Sequence, residues 1–198
     1  METVRVYAAC LFDLQLTRRL AALSASVRRA CAEKGWEADF VSPPALHATL
    51  AVLGEIDLGL VSPVVDALAE TARQRGPFKL QLGGLRAGPD DASPTHLAVG
   101  VHQGGELLES LADDLARRLE SLGFAPPPPP PRVLIARVRR ANGAARELFA
   151  APADLGASTV HELVLYRGDR ARPNLEPPVL ARFSLTAPPR APAPAPPS

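Results

Sequence analysis

A strand, a helix and a second strand are predicted twice along this chain, and this repetition constrains the fold more than any other feature. The elements of the first copy are predicted over residues 4–12, 15–34 and 46–53. Those of the second copy are predicted over residues 95–101, 105–122 and 132–138. Apolar residues recur every three or four positions in both helices, which is typical of amphipathic helices. Two such α+β units can pair around a pseudo-twofold axis. We therefore expect their last strands, which carry His47 and Arg132, to face each other across a cleft.

The remaining elements are a helix and several strands. A Ser62-Pro63 start predicts a helix that ends at Gly76. Alternating or β-rich runs predict strands over 37–41, 78–86, 160–167 and 179–185. The segment between residues 140 and 160 is predicted to be irregular.

Composition separates a folded body from a tail. Of the 198 residues, 46% are hydrophobic and 22% are charged, values close to globular averages that exclude wholesale disorder. The 22 prolines are uneven, since six form the run 126–131 and six more lie between Pro188 and the end. We predict one folded domain over 1–186 and a disordered, polyproline-II-like tail over 187–198.

The net charge of +1 excludes a strong long-range field toward nucleic acid or anionic membranes. The basic charge is nearly all arginine and is densest at residues 132, 137, 139 and 140. This pattern suits phosphate recognition, but a high-GC genome also produces it.

Cys10 and Cys31 lack metal-ligand spacing and predict buried thiols in a reducing compartment. Without a membrane span or a signal peptide, we expect a cytoplasmic protein and no membrane partner.

His47 and Thr49 are the leading candidates for chemistry. On a strand, side chains two residues apart share a face, so both point away from the core face of Leu46, Ala48 and Leu50. An imidazole moves a proton near pH 7, and a neighbouring hydroxyl can hold a phosphoryl oxygen. A His-x-Thr triplet alone is equally compatible with a structural histidine at a strand end.

The surroundings of this triplet favour the chemical interpretation. Residues 36–55 (WEADFVSPPALHATLAVLGE) resemble the first motif block of the two-histidine phosphoesterase superfamily, and within it the LigT-like RNA 2′,3′-cyclic phosphodiesterases, historically called 2′-5′ RNA ligases. The resemblance extends to VRVYAACLFDL, SPTHLAVGV, STVHELVLYRGD and RFSL, in the family's order. It implies a bilobal α+β fold with two antiparallel sheets flanking a central cleft and helices on the outside. It also implies RNA ends or a cyclic nucleotide as substrate, with no cofactor.

The second motif of the family departs from its pattern in this chain. The family places Pro-His-x-Thr-Leu-Ala-Arg on the pseudo-symmetric strand, where residues 131–137 here read PRVLIAR. Pro131 and Arg137 match, but Arg132 replaces the histidine and Leu134 replaces the threonine. Arginine binds phosphate but exchanges no proton at neutral pH. Since general acid–base catalysis typically contributes ~10²–10⁴-fold, we expect hydrolysis to be slowed by about that factor.

The other three histidines are weaker candidates. His161 shares a strand face with Leu163 and Leu165, which favours a core or edge position over a catalytic one. His96 is expected to be a partly buried structural residue, and His102 a solvated loop residue. No metal-ligand spacing and no phosphate-cradling glycine loop is present in the sequence, so no metal site is predicted.

Two hypotheses follow from these residues. In the first, the protein hydrolyses cyclic phosphate at RNA or nucleotide ends: His47 transfers a proton, Thr49 contacts the phosphate, and Arg132 and Arg137 supply positive charge. In the second, it is a catalytically silent relative that binds RNA ends or cyclic nucleotides as a sensor or scaffold. In either case we expect a monomer.

Overall fold

The computed structural model describes residues 2–148, 154–168 and 176–186. Within them the chain forms nine strands and three α-helices. The strands are β1 (Thr3–Cys10), β2 (Glu37–Phe40), β3 (Ala48–Asp57), β4 (Phe78–Gly88), β5 (His96–Gln103), β6 (Arg132–Arg140), β7 (Asp154–Val160), β8 (Glu162–Arg167) and β9 (Val179–Ser184). The helices are α1 (Leu14–Glu33), α2 (Val61–Arg73) and α3 (Gly105–Glu120).

The strands form two halves that mirror each other. One half has the order β9-β8-β1-β3, the other β6-β5-β4-β7, and β2 pairs with β6. Every pairing is antiparallel, and the halves join at a seam between β3 and β6 through the pair Ala48–Val133. The expected two antiparallel sheets are therefore confirmed, joined edge to edge into one open sheet. Strand, helix and strand recur about this seam as the repeat predicts.

Each helix of the repeat covers the half of the sheet built by the other copy. The buried face of α1, with Leu16, Leu20 and Val27, packs on strands β4, β5 and β6. The four buried leucines of α3 pack with α2 on β1, β3 and β8. Each fully buried leucine contributes roughly 1.5–3 kcal/mol, so this exchange ties the halves together far more strongly than the seam. All three helices lie on one face of the sheet, which leaves the opposite face for the cleft.

Helix α1 begins where the sequence indicates, because Asp13 caps it. The Asp13 carboxylate accepts a hydrogen bond from the Leu16 N–H at 2.8 Å, and the Asp13 N–H donates to the Ser158 hydroxyl at 2.9 Å. The cap therefore satisfies a helix-end donor and also fixes the helix to β7. The predicted Ser62 cap of α2 is wrong, since a turn over Leu58–Leu60 precedes the helix and α2 starts at Val61.

Two expectations for the last third of the chain are corrected. Part of the segment predicted to be irregular is β7, which pairs with β4 along Phe78–Gly83. Its sequence DLGASTV is poor in strand formers. The strand conformation is instead stabilised by the pairing with β4 and by a hydrogen bond from Arg19 to the Leu155 carbonyl. The predicted strand 160–167 is also broken at His161, which is exposed and lies outside both β7 and β8. The predicted tail, 187–198, lies outside the described residues.

None of the helices in the described part of the chain is long and apolar enough to cross a membrane.

Candidate active site in the cleft

The seam pair places both motif triplets on the cleft face. Ala48 and Val133 are fully buried and point toward the helices. Side chains alternate along a strand, so the neighbours of this pair point away from the helices. These neighbours are His47 and Thr49 in the first half of the sheet, and Arg132 and Leu134 in the second. All four are half-buried. The structure thus brings the first motif and its altered counterpart together on one surface.

His47 is held by a backbone contact. The chain turns through Pro43–Ala45 just before it, and the His47 Nδ1 lies 2.7 Å from the Ala45 carbonyl oxygen. Since a carbonyl only accepts, Nδ1 carries the proton and Nε2 is the nitrogen with the lone pair. Burial lowers the pKa of His47, and the hydrogen bond to Ala45 partly offsets that lowering. The resting side chain is therefore a neutral imidazole with a known tautomer.

Two tyrosines surround the His47 ring. The Tyr7 ring stacks on it with centroids 5.2 Å apart, and the Tyr166 ring lies 5.8 Å away. Burial raises the pKa of both phenols, that of Tyr7 also through Tyr166, so both stay neutral. Thr49 pairs with Ala9 of β1, which is completely buried in a cluster with both tyrosines. The two tyrosines therefore hold the His47 ring in place from the β1 and β8 side of the site.

Arg132 lies along the second half of the sheet. Its Nη1 donates to the His96 Nε2 at 2.5 Å, and the small residues Ala98 and Gly100 line the same pocket. The Arg86 side chain lies over Gly100 from β4, since a Cβ there would be 3.5 Å from the Arg86 Nε. These residues line a pocket of about 500 Å³ together with Pro130 and Pro131. Two guanidinium groups and little bulk make this a suitable place for an anion.

Arg137 lies further from the seam than Arg132. A bulge in the β5–β6 pairing, between Leu97 and Ala98, lets Arg137 pair with His96 and so brings it back to the cleft face. Its side chain is exposed. The four predicted site residues thus share one face, but Arg137 is at the margin, and Leu134 presents no hydroxyl next to Arg132.

Sequence reasoning missed several residues of this surface. Tyr7, Tyr166 and Arg86 were not singled out, although the alternation of VRVY and ELVLY places each tyrosine opposite the core face. His96 is partly buried, as expected, but it faces the cleft. His102 and His161 are exposed, and neither lines the pocket beside Arg132; His102 lies near the end of β5 and not in a loop as expected. In residues 2–148, 154–168 and 176–186, no three His, Cys, Asp or Glu side chains group as a metal ion would require.

Comparison with curated proteins gives consistent relatives. The Archaeoglobus fulgidus protein named RNA 2′,3′-cyclic phosphodiesterase is 34% identical over 103 residues, which cover 52% of this chain and 57% of that protein. A Geobacillus stearothermophilus protein of the same name is 32% identical over 148 residues, which cover 72% of this chain and 46% of the relative. The chain therefore spans about half the length of these relatives.

Solved structures share the fold. Escherichia coli LigT, without ligand, superposes with a TM-score of 0.74 at 23% identity, covering 94% of this chain and 100% of the other. The Thermus thermophilus protein TT0787 gives a TM-score of 0.76 at 23% identity, covering 91% and 97%. Escherichia coli LigT was also solved in complex with 3′-AMP, at a TM-score of 0.71 and 23% identity, covering 94% and 100%.

The family model described as "LigT like Phosphoesterase" matches residues 12–96, which include the His47 triplet. The seam, the paired triplets and the relatives agree with this match. Over residues 12–96 the chain therefore has the sequence of a LigT-like phosphoesterase, and its curated relatives agree with the two-histidine phosphoesterase superfamily.

Proposed function

We propose that this protein is an RNA 2′,3′-cyclic phosphodiesterase that opens the cyclic phosphate at the end of an RNA or a nucleotide. The observation that carries the proposal is the state of His47: its Nδ1–H is fixed on the Ala45 carbonyl, so that Nε2 is the nitrogen available to exchange a proton in the cleft. The family's curated relatives carry the same activity in their names. We also propose that it works as a cytoplasmic monomer.

The side chains divide the chemistry among them. His47 transfers a proton through Nε2 while the cyclic phosphate lies over the seam. The Thr49 hydroxyl donates to one non-bridging oxygen, and the Arg132 guanidinium neutralises the negative charge that develops on the phosphate. Arg137, at the margin, contributes to the positive potential that attracts the phosphate chain. Leu134 offers no hydroxyl, so the second half of the site binds the phosphate through charge.

A second function, a binder without turnover, is favoured by one specific observation. In the altered motif, Arg132 replaces a proton carrier and Leu134 replaces a hydroxyl. Both replacements remove catalytic groups, but Arg132 retains the positive charge that binds a phosphate. In this alternative the cleft retains RNA ends or cyclic nucleotides and releases them unchanged.

Turnover and binding measured on the same variants separate the two functions. The substrates are a 2′,3′-cyclic nucleotide and a short RNA that ends in a cyclic phosphate, and binding is followed by calorimetry with a 3′-nucleotide. The variants are Thr49→Val, which removes the hydroxyl at nearly constant volume, Arg132→Ala and Arg132→His.

The phosphodiesterase predicts product with the unmodified protein and a loss of about 10²-fold in Thr49→Val, because one hydrogen bond to the developing charge is gone. It also predicts faster turnover in Arg132→His, which returns a proton carrier to the second motif. The binder predicts that the unmodified protein yields no product while it binds the 3′-nucleotide, and that Arg132→Ala loses the affinity.

A further inference from the structure

His96 stands at the pseudo-symmetric position of Tyr7. In the first half of the sheet, Ala9 pairs with Thr49, and Tyr7 lies two residues before Ala9 on the same face. In the second half, Ala98 pairs with Leu134, and His96 lies two residues before Ala98. Tyr7 contacts His47, and His96 contacts Arg132. The half of the cleft that lacks a motif histidine therefore has an imidazole directly beside the arginine that replaces it.

The hydrogen bonds of His96 fix its tautomer. Its Nδ1 lies 3.2 Å from the Thr95 hydroxyl, and that hydroxyl donates to the Gly88 carbonyl at 3.3 Å. The Thr95 oxygen therefore accepts from Nδ1–H, and Nε2 accepts from Arg132. His96 and His47 are thus both protonated at Nδ1, and each has the lone pair of Nε2 on the cleft face.

An oxyanion bound to Arg132 comes within reach of His96. The guanidinium has five N–H donors, and one of them already touches the His96 Nε2. A phosphate oxygen that takes a donor from the same guanidinium is therefore one hydrogen bond, or one bridging water, from the imidazole. The bound phosphate also competes with the His96 Nε2 for the N–H of Arg132. When that N–H turns to the phosphate, the lone pair of Nε2 becomes available.

We infer that His96 is the second proton-transfer residue of the site, and that it takes the place of the histidine absent from position 132. The inference rests on the proposed function. A water molecule gives its proton to the His96 Nε2 as its oxygen bonds to phosphorus. The bond between phosphorus and one ribose oxygen breaks, and His47, which takes up a second proton on Nε2 from solvent before the step, gives that proton to the oxygen. The product is a phosphate monoester beside a free hydroxyl, and solvent exchange returns the proton from His96 to His47.

The charges around His96 agree with its role as the proton acceptor. Burial and the adjacent Arg132 and Arg137 guanidinium groups lower the pKa of His96, which keeps it in the form that accepts a proton. Burial lowers the pKa of His47 as well, its hydrogen bond to Ala45 partly offsets that lowering, and no neighbouring cation among the described residues opposes its protonated form. The two groups stand on opposite halves of the cleft, as an in-line displacement at phosphorus requires.

The test is His96→Gln, because the glutamine carbonyl can still accept from Arg132 but cannot carry a proton. His102→Gln is the matched control, because His102 is an exposed histidine of the same strand β5 that does not line the pocket. We expect the unmodified protein to lose rate at acidic pH as His96 becomes protonated, and His96→Gln to lose both that fall and about 10²-fold or more in kcat/KM. In the Arg132→His background the same change should cost much less, since the introduced imidazole accepts the proton; activity of that double variant also proves that it folds.

Each remaining result overturns the inference, and the results are distinguishable. If the unmodified protein turns over and His96→Gln equals it, His96 has no part in the reaction but the proposed function stands. If only Arg132→His turns over, the site is competent and His96 does not replace the missing histidine. If neither turns over, the proposed function fails and the inference fails with it.

Discussion

Ala48 and Val133 form the pair that joins the two halves of the sheet, and both side chains are completely buried. Their cleft-facing neighbours are His47, Thr49, Arg132 and Leu134. The relative position of the two motifs therefore depends on how closely β3 and β6 approach at this pair, and the neighbouring pairing of β2 with β6 supports it.

Ala48→Val should destabilise the protein and widen the seam. Two added methyl groups have no free volume at a position with no exposed surface, and overpacking of this kind costs about 1–3 kcal/mol. Urea unfolding measures the loss. Ala157→Val, on the exposed side of β7, is the control and should stay within about 0.5 kcal/mol. Equal stability of both variants would mean that the seam tolerates separation.

Tyr7 is a positioning residue for His47. Its ring lies against the imidazole at 5.2 Å, so Tyr7→Leu should let the imidazole tilt and lower kcat by about 10-fold or more, with little change in KM. Tyr7→Phe keeps the ring and should retain the kcat of the unmodified protein. If Tyr7→Phe loses as much as Tyr7→Leu, the phenol hydroxyl has a chemical role that ring packing does not explain.

Stability should fall as the pH drops below neutrality, partly because of His47. Its pKa is lower in the folded chain than in the unfolded one, so the unfolded chain binds more protons between the two values and stability rises with pH there. We expect the free energy of unfolding to decrease as the pH falls through the unfolded value of ~6.5. The decrease should be shallower in His47→Asn, and identical slopes would contradict the burial of the imidazole.

Asp13 should contribute through its cap on α1. Asp13→Ala removes the acceptor for the Leu16 N–H and should cost about 1 kcal/mol in denaturant unfolding. Asp13→Ser retains a capping oxygen and should recover most of that loss. Since α1 covers the β4, β5 and β6 half of the sheet, a loss confined to activity, with stability unchanged, would contradict a capping role.

The sequence predicted the repeat, most strands and the shared face of His47 and Thr49, because alternation and helical spacing are local properties. It could not reveal that α1 and α3 exchange halves, since a helix's apolar face does not specify which sheet it covers. Strand β7 escaped notice because long-range pairing with β4 defines it. The contact between His96 and Arg132 joins residues 36 positions apart, through a register that only the folded sheet sets.

The decisive measurement is the steady-state hydrolysis of a 2′,3′-cyclic nucleotide by the unmodified protein and by His47→Asn. The asparagine amide can replace Nδ1–H as donor to the Ala45 carbonyl and has no group at the position of Nε2, so the variant isolates the proton-transfer step. We predict measurable turnover by the unmodified protein and a loss of about 10²–10⁴-fold in the variant. Equal rates for the two proteins would contradict the assignment of His47 as the proton carrier of this cleft.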